Sequence, residues 1–316
     1  MRMAVIGTGY WGKNLVRVAC EILGPEQVTV FDVNAESLRT IADQHPGISV
    51  APSYGSVLND RMIEIVSLAT PVSTHVTLAK EALCAGKHIF VEKPLALKSS
   101  EAEEVAKLAD EMGRIVMVGH ILLFQPAIGW IKSAIGAGVI GELVSLHQER
   151  LNFGIVRTVE NVLWSLGIHD IAVLLNLVGQ SPQKVIAQGQ AILQTKIQDD
   201  VYVHLLFSGG VRAHLHTSWL WPEKHRRLTI VGSRGMLTYD EGRQIVMLHR
   251  KRFGNDLMSV DEGDEVVFHG SGQPLTLEIE HFLECIRYGR QPLSDVRSAV
   301  DVVRVIEQAV WQMEEA

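Results

Sequence analysis

Glycines occupy the first, third and sixth positions of Gly7–Gly12, a spacing that suits a phosphate-binding turn. The segment follows a compact apolar run, Met3–Ile6, and precedes a helical pattern, so it joins a predicted strand to a predicted helix. In such a turn Gly7 permits the tight bend, Gly9 lets the backbone approach a pyrophosphate, and Gly12 lets the helix pack closely on the strand. The free amides and the positive dipole end of the helix favour the same anion.

Asp32 supplies the second part of this pattern. It follows the second predicted strand, Gln27–Phe31, and stands about twenty residues after the last glycine. A carboxylate at this place accepts hydrogen bonds from the ribose of a dinucleotide, and its charge repels a 2′-phosphate. The two features together predict NAD as the cofactor, in preference to NADP.

A second turn, Ala69-Thr70-Pro71, follows the fourth predicted strand. The carboxyl ends of parallel strands line the ligand crevice of such sheets, so this turn belongs at the same edge. The residues that we expect to contact the cofactor from the two turns and the second strand are Gly7, Thr8, Gly9, Tyr10, Trp11, Gly12, Asp32, Thr70 and Pro71. His75, near the start of the next helix, is either a further cofactor contact or a residue that makes local hydrogen bonds.

Both turns are placed correctly only in an α/β fold, where they follow strands of a parallel sheet. Short apolar runs alternate with amphipathic helical patterns as far as Gly119, which predicts a parallel sheet with helices on both faces, doubly wound as in a Rossmann domain. After Gly119 a long strand-like segment, an apolar helix over Asn161–Val178 and several closely spaced strands follow. We predict a Rossmann domain at residues 1–119. Residues 120–316 should form an α+β domain with an open, mainly antiparallel sheet, for substrate binding and oligomerisation.

Composition excludes several other classes of protein. The chain has 29 basic and 36 acidic residues, a net charge of −7, which argues against a nucleic-acid partner. Its three cysteines form no CxxC pair, so neither a zinc knuckle nor a disulfide framework is indicated. No apolar stretch is long enough for a membrane span, and the N-terminus does not resemble a signal peptide. We therefore expect a soluble, cytoplasmic protein with no membrane partner.

Val91-Glu92-Lys93-Pro94-Leu95, together with the glycine motif and the second turn, resembles the Gfo/Idh/MocA oxidoreductase family. The resemblance covers nearly the whole chain. It implies an NAD-dependent enzyme that acts on a CH–OH group, with Lys93 in the active site beside the cofactor. Lys93 would bond the reacting hydroxyl and stabilise the developing alkoxide. Glu92 would contact the cofactor and support the turn at Pro94.

The second catalytic element implied by the resemblance is His169. Many family members carry Asp-x-x-x-His on this helix; here the histidine matches, but Ser165 stands in the aspartate position. This departure leaves His169 as the general base and moves the sequence away from the inositol dehydrogenase type. The alternative is a core histidine without a catalytic role. Trp164 could pack on the cofactor or the sugar, or belong to the core.

The segment from Asn161 to Asp170 is similar to a subgroup that oxidises the 3-hydroxyl of UDP-N-acetylglucosamine or of its uronate. Arginine forks suit diphosphate oxygens, and Arg150, Asn152 and Arg157 fall on or just after a strand expected to face the crevice, although a solvated strand edge would also explain them. The residues expected to bind substrate are Lys93, Arg150, Asn152, Arg157, Ser165 and His169. The 3-keto product would feed a 3-amino sugar for lipid A or another surface glycan.

The sequence is also compatible with other functions. The uronate is the close competitor of UDP-N-acetylglucosamine, and a free sugar or polyol would need no diphosphate contact. A cofactor-binding regulator without turnover is a third class, against which the presence of both Lys93 and His169 argues.

Three histidines, His204, His214 and His216, fall on one face of the hairpin around Ser208-Gly209-Gly210. No carboxylate or cysteine nearby in the sequence completes a metal site, so we predict no metal. The tryptophans close to them suggest that this face is buried by oligomerisation. We expect a homo-oligomer, a dimer or a tetramer, formed through the C-terminal sheet.

Overall fold

The computed structural model describes residues 1–315, which divide into two compact units. The first unit contains Met1–Ile121 and Gln273–Val303, and the second contains Leu122–Gly272 together with the residues from Arg304 onward. The change of unit near residue 121 lies close to the division expected at Gly119. The structure differs from that division in one respect, because residues 273–303 return to the first unit.

The first unit is built on a six-stranded parallel sheet with the order β3-β2-β1-β4-β5-β6. Its strands are β1 (Arg2–Ile6), β2 (Val28–Phe31), β3 (Ser49–Val50), β4 (Ile63–Leu68), β5 (His88–Glu92) and β6 (Val116–Gly119). The helices between them are α1 (Gly12–Leu23), α2 (Ala35–Gln44), α3 (Tyr54–Asn59), α4 (Val72–Cys84) and α5 (Ser99–Met112). The central strands are buried apolar runs, as expected of a sheet covered on both faces. The strand order reverses between β1 and β4, which places the ligand crevice at their carboxyl ends.

The second unit is built on an eight-stranded sheet with the order β14-β13-β12-β11-β7-β10-β9-β8. Among the described strands of this second sheet, only the pair β7–β10 is parallel, so the predicted open, mainly antiparallel sheet is confirmed. Its elements are α6 (Pro126–Gly136), β7 (Leu143–Phe153), α7 (Ile168–Val178), β8 (Lys184–Gln190), β9 (Asp200–Leu206), β10 (Arg212–Ser218), β11 (Leu220–Gly232), β12 (Met236–Asp240), β13 (Ile245–Phe253) and β14 (Ser259–His269).

A π-helical turn over Leu163–Gly167 leads into α7, so the predicted helix over 161–178 is not one regular α-helix. A Cβ added at Gly167 would lie 2.7 Å from a methyl carbon of Leu163 and 3.3 Å from one of Leu215. This close approach seats the turn on β10, and so fixes where α7 begins.

Two helices close the chain, α8 (Pro274–Tyr288) and α9 (Val296–Glu315). Phe282 of α8 is fully buried, with its ring centroid 5.9 Å from that of Phe90 in β5. This apolar packing explains why residues 273–303 belong to the first unit. Among the described helices, none combines the length and apolar character that a bilayer crossing requires.

Candidate active site

The glycine turn has the geometry that its spacing predicts. Gly7 has a φ of +90°, and a Cβ there would lie 2.6 Å from the carbonyl oxygen of Ala69. A Cβ at Gly12 would lie 2.0 Å from the carbonyl oxygen of Gly7, so only glycine lets α1 approach the turn. At Gly9 an added Cβ would meet nothing within 4 Å. Packing therefore requires two of the glycines, and the third leaves the backbone open to a phosphate, which fits a dinucleotide.

Asp32 lies beside this turn and is tied to it. Its Oδ2 accepts hydrogen bonds from the backbone N–H of Thr8 at 2.6 Å and from the Thr8 hydroxyl at 3.1 Å, and its Oδ1 accepts from the N–H of Asn34 at 2.8 Å. A carboxylate has about four lone-pair sites, so acceptor capacity remains for ribose hydroxyls. The fully buried Thr8 supports the turn from inside.

Of the two roles expected for His75, the structure shows local hydrogen bonds. The ring is buried, and its Nδ1 and Nε2 each lie 2.8 Å from a carbonyl oxygen, those of Pro94 and Thr70 respectively. Burial lowers the pKa of His75, and the hydrogen bonds to the two carbonyl oxygens oppose this effect. Because both nitrogens face the backbone, neither is available to a cofactor, and His75 instead links the turn after β4 to the segment of Lys93.

Lys93 follows β5 directly and is half-buried; the peptide bond between it and Pro94 is cis. The preceding Glu92 accepts a hydrogen bond from the indole N–H of Trp11, the residue before α1. Glu92 therefore connects the lysine segment to the glycine turn. Burial raises the pKa of Glu92 to about 7, against the opposing effects of Trp11 and of the Lys93 charge.

Two further titratable side chains of the first unit lie near this segment. His120, after β6, is buried, and burial together with the charge of Lys93 lowers the pKa of His120 to about 3, so its ring is neutral. Glu278 of α8 is buried, and the charge of Glu92 adds to burial in raising the pKa of Glu278 well above its usual range. Sequence reasoning missed Glu278. A signal was present, because Glu278 falls in the apolar helical stripe of Leu275 and Phe282.

In the second unit, the π-helical turn carries Ser165 and leads to His169, and both side chains are half-buried. Asn161 holds the start of this turn: its Oδ1 accepts from the backbone N–H of Trp164 at 3.2 Å, and its amide donates to Gln198 at 3.1 Å. Trp164 is 9% exposed, as expected of a core tryptophan. Single π-helical turns recur at functional sites because they change the direction of side chains locally.

Arg150 does not fit the expected role of binding a diphosphate. Its side chain is buried, its Nε donates to Asp170 at 2.6 Å, and its terminal nitrogens donate to Glu241 at 2.6 and 3.4 Å. Arg226 also donates to Glu241, at 2.7 Å. Although burial opposes ionisation, the two arginines hold the pKa of Glu241 below its usual value. The guanidinium of Arg150 thus joins β7 to the start of α7 by a buried ion pair.

The other two proposed diphosphate residues have different surroundings. The Arg157 side chain is 54% exposed, and its Nε lies 3.9 Å from Glu160. Asn152 is half-buried, and its Oδ1 has no protein partner among the described residues. The apolar side chains of Phe153 and Ile155, which follow Asn152, are exposed. This loop therefore carries an exposed guanidinium close in sequence to exposed apolar side chains.

The histidines of the sheet pair with one another and with an acidic residue. Nδ1 of His204 lies 2.7 Å from Nδ1 of His214, and His147 stacks on His214 with a ring-centroid separation of 4.8 Å. His216 stacks on Tyr202, and its Nε2 lies 3.2 Å from a carboxylate oxygen of Asp200. In the part of the chain that the structure describes, no group of three or more histidine, cysteine or acidic side chains could hold a metal ion.

The chain matches two family models. Residues 1–120 match the oxidoreductase family model with the NAD-binding Rossmann fold, and residues 129–238 match the GFO/IDH/MocA C-terminal domain. It is 30% identical over 319 residues to UDP-N-acetylglucosamine 3-dehydrogenase of Acidithiobacillus ferrooxidans, covering 99% of each chain. It is 26% identical over 320 residues to scyllo-inositol 2-dehydrogenase (NAD(+)) of Bacillus subtilis, covering 96% of this chain and 91% of that one.

Comparison with solved structures gives the same similarity. A structure of the Acidithiobacillus ferrooxidans enzyme superposes with a TM-score of 0.89 at 29% identity, over 100% of this chain and 98% of the other. The glycine turn, Asp32 and the segment of Lys93 lie in the part that matches the NAD-binding domain. The chain therefore belongs to the Gfo/Idh/MocA family and is an NAD-dependent oxidoreductase that acts on CH–OH groups.

Proposed function

We propose that this enzyme oxidises the 3-hydroxyl of UDP-N-acetylglucosamine to a 3-keto nucleotide-sugar. The observation that carries the proposal is the similarity to UDP-N-acetylglucosamine 3-dehydrogenase, which extends over 99% of both chains and so includes the substrate-binding half. The serine at position 165, where inositol dehydrogenases are expected to carry an aspartate, agrees with a substrate other than a polyol.

In the proposed reaction the protein handles the proton and the developing charge. His169 accepts the proton of the 3-hydroxyl, and the ammonium of Lys93 stabilises the alkoxide as the C3–O bond becomes a carbonyl. A bound NAD⁺ would supply the acceptor for the C3 hydrogen, which leaves as a hydride. The proposal requires that Lys93 and His169, which belong to different units, reach the same hydroxyl.

Substrate contacts are proposed from the loop that follows β7. Arg157 offers an exposed guanidinium for the diphosphate, and the half-buried Asn152 is proposed as a second contact. Ser165 could contact the sugar from the turn before His169. Arg150 is left out of this set, because its donors are already bonded to Asp170 and Glu241.

The product suggests the class of reaction that follows. A ketone at C3 is the substrate that an aminotransferase needs to install an amino group, so the enzyme would feed a 3-amino sugar for lipid A or another surface glycan. We also propose a homo-oligomer formed through the sheet of the second unit, where Tyr202 and Trp221 are 45% and 40% exposed.

Oxidation of a polyol is the second candidate. It is favoured by the similarity to scyllo-inositol 2-dehydrogenase, which covers most of both chains at 26% identity. The uronate of UDP-N-acetylglucosamine is a close variant of the first candidate. It needs an additional cation for the C6 carboxylate.

The test is a substrate panel with the purified enzyme and NAD⁺, read by NADH absorbance. The panel contains UDP-N-acetylglucosamine, its uronate, free N-acetylglucosamine and scyllo-inositol. We expect turnover with UDP-N-acetylglucosamine and a 3-keto product by mass spectrometry and NMR. Turnover with inositol or free sugar alone would overturn the proposal.

Two variants check the catalytic assignment in the same assay. Lys93→Met and His169→Asn should each lower kcat by about 100-fold or more, because each removes a group that acts on the reacting hydroxyl. Both should still bind NAD⁺ in a calorimetric titration. Exposed Lys98→Met serves as the matched control and should keep full activity.

A further inference from the structure

A second cleft of the first unit lies at the amino-terminal edge of its parallel sheet. The cleft has a volume of about 600 Å³, within the range of small-molecule sites. Its walls come from the starts of β4 and β5, from the residue two before β6, and from the ends of α3 and α4. Strand β5 begins in this cleft at His88 and ends beside Lys93, a span of about 13 Å. The cleft is therefore separate from the edge where the glycine turn lies.

Positive charge predominates among the side chains that line the cleft. Arg61, Lys87 and Arg114 are cations, and Glu64 is the one carboxylate of the lining, so three positive charges less one negative leave +2. Both arginines are exposed, and neither forms an ion pair with any described residue. On a chain whose net charge is −7, this local excess of positive charge favours an anionic ligand.

Lys87 supplies a fixed charge at the wall of the cleft. The residue is 4% exposed, and its Nζ donates to the carbonyl oxygens of Asp60 at 2.6 Å and of Ile63 at 2.7 Å. Burial lowers the pKa of Lys87, the charge of Asp60 opposes this effect, and the charge of Arg114 adds to it. The two cations thus lie close enough to repel each other, and an anion in the cleft would relieve that repulsion.

His88 and Arg114 direct hydrogen-bond donors at each other. Nδ1 of His88 accepts from the backbone N–H of Ile115 at 3.1 Å, so the neutral ring has its proton on Nε2. That Nε2 lies 3.5 Å from Nη1 of Arg114, and a guanidinium has donors only. The two N–H groups cannot bond to each other, so both need an acceptor from outside the protein. One anionic oxygen can accept from both.

Packing against the backbone holds the guanidinium in this place. Gly86 follows the end of α4 with a φ of +75°, and a Cβ there would lie 3.5 Å from Nη2 and 3.9 Å from Nε of Arg114. The guanidinium therefore lies beside the bare backbone of Gly86. Its position does not depend on a carboxylate, which leaves its charge for a ligand.

We propose that this cleft binds a phosphate group between the imidazole of His88 and the guanidinium of Arg114. The planar fork of an arginine matches two phosphate oxygens, and a further oxygen can accept from His88. A phosphate monoester carries a charge of about −1.5 to −2 at neutral pH, which complements the +2 of the lining. The volume of the cleft exceeds that of a single phosphate, so it has room for a small phosphorylated molecule. The site requires no turnover and is independent of the proposed substrate.

The first test is a calorimetric titration of inorganic phosphate and of phenyl phosphate into the enzyme saturated with NADH, which occupies the glycine turn. We expect one site per chain, and Arg114→Met should weaken binding by about tenfold or more because the bidentate contact is lost. Arg287→Met, an exposed arginine of α8 in the same unit, is the matched control and should bind like the wild type. Tighter binding of phenyl phosphate assigns the site to a phosphate monoester, and tighter binding of inorganic phosphate assigns it to the free ion. No binding, or equal affinity in the wild type and Arg114→Met, overturns the proposal.

A second pair of variants blocks the cleft without removing any of its cations. Ala85 is exposed and lines the cleft at the end of α4. Ala85→Glu places a carboxylate among the three cations, so we expect it to abolish phosphate binding and to keep the wild-type melting temperature. Ala85→Gln adds a neutral side chain of the same size and should bind phosphate within about threefold of the wild type. Phosphate affinity that is equal in the two variants contradicts the site, whatever the substrate panel shows.

Discussion

Burial decides what each charged side chain of this enzyme can do. Arg150 and Arg157 are both arginines close to one strand, yet the first is enclosed by Asp170 and Glu241 while the second is exposed. A buried guanidinium with bonded carboxylates supports the fold, because replacing it leaves uncompensated charges. An exposed guanidinium is free to meet a ligand.

The two arginines should therefore respond differently to the same substitution. Arg150→Met should lower the free energy of unfolding by about 3–5 kcal/mol, because it leaves two carboxylates without their shared partner. Arg157→Met should leave stability unchanged and raise KM for the nucleotide-sugar by about tenfold. Urea unfolding and steady-state kinetics measure the two effects. Equal loss of stability in both variants would contradict the distinction.

The raised pKa of Glu92 predicts how stability depends on pH. Burial raises it from 4.5 to about 7, so the folded enzyme binds this proton more tightly than the unfolded chain does. The contribution of the protonated group is complete below about 4.5 and is lost as pH rises through about 7. Glu278 acts in the same direction, since its pKa is also raised.

Glu92→Gln should remove this part of the pH dependence. Relative to the wild type, the variant should gain stability as pH rises from about 5 to about 8, because it has no buried charge to form. Urea unfolding at several pH values measures the difference, with exposed Glu280→Gln as control. Parallel curves for Glu92→Gln and wild type would show that Glu92 does not titrate in this range.

At the level of elements, the turn between β1 and α1 needs glycine at two positions for two different reasons. One position excludes a side chain because backbone atoms lie close to it. The other excludes a side chain because a ligand approaches it. Gly12 is the first kind of position, because an added Cβ there would meet the carbonyl oxygen of Gly7. Gly9 is the second kind, because an added Cβ there would meet no protein atom within 4 Å.

Alanine substitutions can distinguish the two demands. Gly12→Ala should lower the free energy of unfolding by about 3 kcal/mol or more, because the methyl cannot fit beside backbone atoms. Gly9→Ala should keep the wild-type melting temperature and lower NAD⁺ affinity by about tenfold or more, because the methyl occupies the approach of the pyrophosphate. Thermal melts and calorimetric titration measure both. Unchanged NAD⁺ affinity in Gly9→Ala would contradict the assignment of the turn.

For the whole molecule, the division into units predicts which pieces fold alone. Residues 273–303 pack in the first unit through contacts such as Phe282 on Phe90. A fragment of residues 1–121 should therefore melt at a lower temperature than the same fragment joined by a short linker to residues 273–303. Circular dichroism measures both melts. Equal melting temperatures would show that the helix contributes little to the stability of the first unit.

Much of the fold could be predicted from the sequence, because the relevant information is local. The alternation of apolar runs and helical patterns predicts the parallel sheet, and the spacing of the glycines and Asp32 predicts an edge where a dinucleotide binds. The place of Lys93 beside the cofactor is what the family resemblance implies. Each of these signals lies within a few turns of one element or at the end of a strand, where chain order and the handedness of connections fix the position.

Only the tertiary structure decided the pairs that are distant in sequence. Arg150 meets Asp170 and Glu241, although nothing in its local pattern specifies these partners. Whether a charged side chain binds a ligand or balances another charge depends on burial, and burial depends on how whole elements pack. For the same reason the sequence determined the cofactor domain and its motif, whereas packing decided which arginine is exposed and which unit contains α8.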